Sequence, residues 1–284
     1  MTTVNREYKD RVFRFLFGNP ENREWTLALY NAINGSNYDN PDDIQFNTIE
    51  DAVYLGMKND ASFIIVNSLS LWEHQSSYNP NVPMRFFIYA AKLYEKYIAT
   101  SDYNPYSSKL QKVPCPKCIC FYNGTEGLPE KKLLRLSKAF DCEADIEVKV
   151  TMLNINYGKN RQLMEACKPL YEYAWLVDAI RRHQDKEKNL EAAIDAALTE
   201  MPEDFLIRSF LLSNKAEVKG MFLTEYNQEK VLEQERLEAI NDDRRRVARD
   251  MLMDGKPLNE IKKYSRLTED VIYKLAKTLG IMVM

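Results

Sequence analysis

Residues 57–96, MKNDASFIIVNSLSLWEHQSSYNPNVPMRFFIYAAKLYEK, decide the fold. The apolar run from Phe63 to Val66 predicts a buried strand, and the polar pair after it breaks that strand. A second strand starts at Leu69 and ends near Glu73. Pro83 then opens a helix in which apolar residues recur at helical spacing as far as Ile98. Because a short turn joins the two strands, they pair antiparallel, and the start of the first lies beside the end of the second.

Two acidic residues stand at these adjoining strand ends. Asp60 precedes the first strand and Glu73 ends the second. We therefore expect their carboxylates to lie within reach of one shared ion, at the edge of the sheet and open to solvent. Such a pair suits a hard divalent cation, which prefers oxygen ligands. The alternative is structural, since turns often carry Asp and strand ends often carry Glu.

The same residues carry a resemblance to a known family. Asp60, followed by Glu73, His74 and Gln75, resembles the D…(D/E)xK signature of the PD-(D/E)xK nuclease superfamily. Within it, the strings MKNDASFI, LWEHQSSYNPNVPMRFFIY and CICFYNG are similar to the recombination-promoting nuclease/putative transposase family. The opening DRVFRFLFGNPEN and the later MLNINY extend the resemblance over most of the chain. One departure stands out: Gln75 occupies the position at which the superfamily usually has Lys, although the family itself often shows Gln.

The resemblance implies a metal-dependent DNA endonuclease, linked to recombination or mobile elements. Asp60, Glu73 and the main-chain carbonyl of His74 would hold Mg²⁺, or another divalent cation, for phosphodiester hydrolysis. The side chain of His74 should point to the face opposite Glu73 and Gln75, because successive side chains alternate along a strand. That side chain is therefore expected to be packed or at the surface rather than to act as a base.

Gln75 is the third residue implied to be catalytic. Its amide can orient a water molecule but brings no positive charge. Either catalysis is slower than with Lys, or a cation such as Lys58 or Lys92 supplies the charge. A catalytically weak or inactive DNA-binding or regulatory protein that keeps the nuclease fold is the alternative function.

Substrate contacts are expected from the helix that follows the two strands. Arg85 and Tyr89 lie one helical turn apart, and Lys92 lies further along the same helix. Arg85 either contacts the scissile phosphate in a bidentate manner or forms an ion pair with a carboxylate at the edge of the core. The sequence leaves these two roles open.

The element order read from periodicity is helix, three strands, helix and strand, over residues 8–34, 44–55, 61–66, 69–73, 84–98 and 113–122. It predicts an α/β fold with a mixed sheet, which matches the αβββαβ core of the superfamily. A basic helix or turn is expected at 131–140, a strand at 146–155 and one helix at 161–183. The chain is then helical to its end. We expect a nuclease-like domain over residues 1–215 and a helical region over 216–284.

Composition limits the class of protein. The net charge of −3 argues against a globally basic coat, although it leaves room for a local basic groove. No apolar run is long enough for a membrane span, and the polar start has no secretory signal, so a cytoplasmic protein with reduced thiols is expected. The spacing of Cys115 and Cys118 resembles half a zinc site, but no second pair of cysteines completes it.

The sequence leaves two alternative roles open for each of two segments outside residues 57–96. Lys131, Lys132, Arg135 and Lys138 form either a solvated face or a patch for the DNA backbone. Two short helices, at 258–264 and 269–279, are either a helix-turn-helix that reads DNA or a hairpin for packing or homo-oligomer formation. DNA is thus the expected partner, and a homo-oligomer through the C-terminal helices is the other expected assembly.

Overall fold

The computed structural model describes residues 11–46, 61–187 and 189–281, without the side chains of 187 and 225–236. The chain divides into two compact units, Met1–Tyr226 and Asn227–Met284. The boundary lies inside the longest helix, later in the chain than the expected division after residue 215.

A mixed six-stranded sheet forms the centre of the first unit, as expected for an α/β fold. Its strands follow the order β1-β2-β3-β4-β6-β5 across the sheet. Pairing is parallel between β3, β4 and β6 and antiparallel elsewhere. The strands are β1 (Gln45–Phe46), β2 (Ala61–Ile65), β3 (Ser68–Gln75), β4 (Cys115–Tyr122), β5 (Lys131–Arg135) and β6 (Lys149–Asn154).

Helices cover both faces of this sheet. The first-unit helices are α1 (Arg11–Phe17), α2 (Arg23–Asn34), α3 (Val82–Thr100), α4 (Arg161–Ala166), α5 (Lys168–Glu187), α6 (Leu190–Glu200) and α7 (Arg208–Ser213). Helix α8 (Lys215–Met253) spans the unit boundary, and α9 (Leu258–Ser265) and α10 (Glu269–Leu279) follow it. None of the helices in the described parts of the chain is long and apolar enough to cross a membrane.

Side-chain alternation along the central strands divides the core into two layers. Trp72 and Phe121 face a layer shared with α1, α2 and α5, whereas Leu71 and Cys120 face a layer shared with α3. Helix α3 is the crossover that joins the parallel strands β3 and β4, as such a connection requires. It buries Phe86, Tyr89 and other apolar residues against the sheet.

Two expected elements differ from the structure. Within the segment 131–140, expected to be a basic helix or turn, Lys131–Arg135 form an edge strand, because Leu134 is drawn into the layer beneath α3, and Leu136–Ala139 form a short 3₁₀ helix. Lys131 and Lys132 therefore lie on opposite faces, and Lys132 stacks over the ring of Tyr78 at 4.1 Å. The expected helix at 161–183 is interrupted at Cys167, whose backbone is extended. Pro169, which the periodicity does not reveal, follows in the first turn of α5, where the missing N–H costs nothing.

The thiols offer a test of these layers. Cys115 and Cys142 are exposed, whereas Cys120 and Cys167 are buried. Burial raises the pKa of the Cys118 and Cys167 thiols to about 12. At pH 8, roughly 10⁻⁴ of either thiol is then in the reactive thiolate form, so alkylation is slow. We expect iodoacetamide to label Cys115 and Cys142 quickly in the native protein, as peptide mass spectrometry would record. Equally fast labelling of Cys120 or Cys167 would contradict the layering.

Candidate active site at the end of strand β3

A buried polar cluster lies at the carboxyl end of β3. Glu73 and Gln75 both point into the layer beneath α3, and both are buried. The Nε2 atom of Gln75 donates to Oε1 of Glu73 at 2.6 Å. Nη1 of Arg85 lies 2.9 Å from the same oxygen. One carboxylate oxygen therefore receives an amide donor from its own strand and a guanidinium from the facing helix.

Burial of Glu73 departs from the expected solvent-open carboxylate. The residue keeps only 1% of its surface exposed, because the first turns of α3 lie over the strand end. A buried carboxylate is tolerated only when charged or polar donors satisfy it. Arg85 meets this need, and its own side chain remains 24% exposed at the surface. The ion-pair role of Arg85 is thus present in the structure.

Helix α3 brings three of the expected residues to one side. Nε and Nη2 of Arg85 lie 3.4 and 3.3 Å from the hydroxyl of Tyr89, one turn further along, as expected from the spacing. Lys92 is half-buried and lies almost two turns beyond Arg85. Among the described residues, the cation that contacts Glu73 is therefore Arg85 rather than Lys92. Asp60 and Lys58 lie outside the described residues.

His74 points to the opposite face of the strand, as expected. Its ring stacks on Phe13 with a centroid distance of 5.1 Å, and its Nε2 lies 3.1 Å from the hydroxyl of Tyr173. Its carbonyl points away from β4, because carbonyl directions alternate and that of Gln75 accepts from the Asn123 amide at 3.0 Å. The side chain of His74 is packed in the core, and only its carbonyl suits the implied ligand role.

Two sequence-distant residues tie this strand end to its surroundings. Asn123, directly after β4, is buried, and its Nδ2 donates to the Tyr173 hydroxyl at 3.4 Å. Arg181 of α5 donates to the carbonyl of Asn123 and, at 2.9 Å, to Oδ1 of Asn156. Asn123, Asn156 and Arg181 line a cavity of about 40 Å³. Neither Asn123 nor Arg181 was predicted to belong to the site, and the one local signal in the sequence was the Asn-Gly pair that closes a buried strand.

The donor chemistry of the cluster fits a hard cation. Oε1 of Gln75 is buried and accepts no hydrogen bond from any described residue. The amide is oriented this way because an ionised carboxylate only accepts, so the NH₂ group must face Glu73. A carboxylate and an amide oxygen are ligands that Mg²⁺ accepts. Within the described ranges, no three His, Cys, Asp or Glu side chains converge as a metal site.

Comparisons with known proteins do not test the role of this site. No family model, no curated protein and no solved structure matches the chain. The resemblance to the recombination-promoting nuclease family therefore stays a prediction from the sequence strings.

Gly124 provides a test of the packing around the strand end. A Cβ atom there would lie 2.1 Å from the carbonyl oxygen of Ser76 and 2.5 Å from the hydroxyl of Tyr122. The backbone oxygen cannot move aside without shifting the chain after β3. We expect Gly124→Ala to lower the free energy of unfolding by about 1–3 kcal/mol, as overpacking does. Thermal denaturation followed by circular dichroism would measure this.

Gly127→Ala is the matched control. Nothing lies within 4 Å of a Cβ atom built on Gly127. The same substitution three residues away should leave stability unchanged or raise it by up to about 1 kcal/mol, since it restricts the unfolded chain. Equal effects of the two variants would show that the close approach at Gly124 is not a constraint.

Proposed function

We propose that this protein is a metal-dependent DNA endonuclease that hydrolyses phosphodiester bonds. One observation carries the proposal: Glu73 and Gln75 point to the same face at the end of β3, with Arg85 on the same carboxylate oxygen. An acidic residue and a polar residue two positions later, at a strand end, form the second half of the PD-(D/E)xK pattern that the sequence resembles. The mixed α/β sheet is compatible with that superfamily core.

The proposal assigns a ligand set to the strand ends. Glu73, the carbonyl of His74 and Asp60, which lies outside the described residues, would hold the cation. When bound, Mg²⁺ would polarise the phosphate and lower the pKa of a coordinated water. The buried oxygen of Gln75 supports this assignment, because it lacks a donor among the described residues and a coordinated water can supply one.

The other residues of the cluster handle water and charge. Gln75 is held by Glu73 through its NH₂ group, so its oxygen is aimed in one direction and can orient a water molecule. Arg85 supplies the positive charge that an amide cannot, and a guanidinium stays charged at every working pH. Lys92, further along α3, would contact the DNA backbone. Tyr89, expected from the sequence to contact DNA as well, is buried, and its hydroxyl instead holds the Arg85 guanidinium in place.

A second function is favoured by the same ion pair. Arg85 neutralises the Glu73 carboxylate directly, which weakens its attraction for a metal cation. A catalytically weak or inactive DNA-binding or regulatory protein would keep such a pair for stability alone. Variants that change the charge of a side chain in this cluster and keep its approximate size therefore distinguish a catalytic protein from one that only binds DNA.

Glu73→Gln tests the assigned ligand. The variant keeps the size of the side chain but removes its charge, so Mg²⁺ affinity measured by calorimetry should be lost. Plasmid nicking should fall by about 10²-fold or more, because the cation and its stabilisation of the transition state are lost together. Glu165→Gln, on the surface of α4, is the control that removes the same charge elsewhere. Equal nicking by the parent and Glu73→Gln would favour the non-catalytic function.

Gln75→Lys tests where the cluster obtains its positive charge. If Arg85 already supplies the positive charge, the ammonium group of Lys at position 75 would lie close to the Arg85 guanidinium beside Oε1 of Glu73. The two like charges would then repel each other. We expect plasmid nicking to fall in Gln75→Lys and to recover in the double variant Gln75→Lys/Arg85→Gln, which restores one cation. Faster cleavage by the single variant would show instead that the parent lacks a cation at this place.

A further inference from the structure

The second compact unit, Asn227–Met284, has a hydrophobic core of its own. The end of α8 contributes Ala248 and Leu252, α9 contributes Ile261, and α10 contributes Ile272 and Ala276. All five are almost fully buried. Since α9 and α10 already bury their apolar faces here, their polar faces are left at the surface of this unit.

A tight three-residue connection joins α9 to α10. Arg266 ends α9 in the left-handed conformation, with φ at 57°, and Leu267 then packs against the core. The hydroxyl of Ser265 donates to the carbonyl of Ile261 at 2.6 Å and accepts from the amide of Leu267 at 3.3 Å. Two short helices joined in this way, on a preceding third helix, have the organisation of a helix-turn-helix unit.

Charge is unevenly distributed along the chain, and this unit, with 12 Lys and Arg against 11 Asp and Glu, carries a net charge of +1 that is concentrated toward its C-terminal part. Residues 242–279 contain ten Lys and Arg against seven Asp and Glu, a net charge of +3. Since the whole chain carries −3, the remaining residues carry −6. A local excess of positive charge on an acidic protein is the electrostatic footprint of a polyanion-binding surface.

The solvent face of α10 presents two of these basic residues, although the helix as a whole has two lysines and two acidic residues. Tyr273 is 51% exposed, and Lys274 and Lys277 beside it are exposed, opposite the buried Ile272 and Ala276. Across the described residues, no carboxylate forms an ion pair with either lysine. The acidic Glu269 at the start of α10 is already neutralised by Lys262 at 2.6 Å.

We propose that this unit binds duplex DNA, with the exposed face of α10 in the major groove. Lys274 and Lys277 contact phosphates, as does Arg266 in the connection before the helix. Thr268 and Asp270 at the start of α10 face the base edges, where an acidic side chain accepts a hydrogen bond from cytosine and Thr bonds to several bases. This binding goes beyond hydrolysis at Glu73 and does not depend on it.

The test measures binding of the full-length chain to a fluorescent 20-base-pair duplex by anisotropy, in EDTA and at several salt concentrations. Each phosphate contact adds about one unit to the slope of log affinity against log salt. Lys274→Ala/Lys277→Ala should therefore bind at least about 10-fold more weakly, with a slope smaller by about two. Circular dichroism should show an unchanged fold, since both side chains are exposed.

Lys109→Ala/Lys112→Ala is the matched control, because it removes two exposed lysines from a loop of the first unit. It should change affinity by less than twofold. Equal losses in the two double variants, or no loss in either, would overturn the proposal. A parent dimer that the α10 variant converts to monomer in sedimentation would overturn it as well, since a second copy would then occupy the face. The outcome is independent of cleavage, because EDTA removes the metal.

Discussion

A buried charge at the end of one strand sets the conditions for the first unit. Glu73 carries a carboxylate into the layer between the sheet and α3, where leaving it unsatisfied would cost several kcal/mol. Arg85 and Gln75 both approach the same oxygen of that carboxylate. The carboxylate therefore couples the position of α3, the end of β3 and the orientation of the Gln75 amide. A shift in any of them would expose the carboxylate to solvent or remove one of its hydrogen-bond partners.

Further hydrogen bonds join the same strand end to β4 and α5. The carbonyl of Gln75 accepts from Asn123, the carbonyl of Asn123 accepts from Arg181, and Tyr173 joins Asn123 to His74. In register, Gln75, Tyr122 and Asn154 form one row across three parallel strands. Ligands of open α/β sheets bind outside such carboxyl ends. The fold thus gathers its buried polar residues at the carboxyl ends of the parallel strands.

Local patterns predicted the centre of this fold well. Apolar runs and a two-residue break located β2, β3 and their antiparallel pairing, and helical spacing after Pro83 located α3. Side-chain alternation placed Glu73 and Gln75 on one face and His74 on the other. The strand at 131–135 was missed, and a basic helix or turn was expected over 131–140, because pairing with β6, a long-range interaction, decides the conformation of these residues.

The candidate site was predictable only in part, for a similar reason. The α3 face could be read from spacing, but the partner of Arg85 could not, because it depends on how α3 crosses the strand end. The contribution of Arg181 comes from 58 residues beyond Asn123, and no local pattern reports such a contact. Burial of Glu73 was missed because its cover is supplied by the helix and not by the strand.

The ion pair also bears on the two roles that the sequence left open for Arg85. Its guanidinium contacts Glu73 on the inner side, yet about a quarter of the side chain remains exposed. Pairing with a buried carboxylate therefore does not withdraw this charge from the surface. A planar guanidinium can satisfy a carboxylate and still present a charged edge to a phosphate, which a single ammonium group at position 75 would do less well. The two roles are thus compatible. Although the chain has Gln rather than Lys two residues after Glu73, Arg85 of α3 already provides a positive charge at this place.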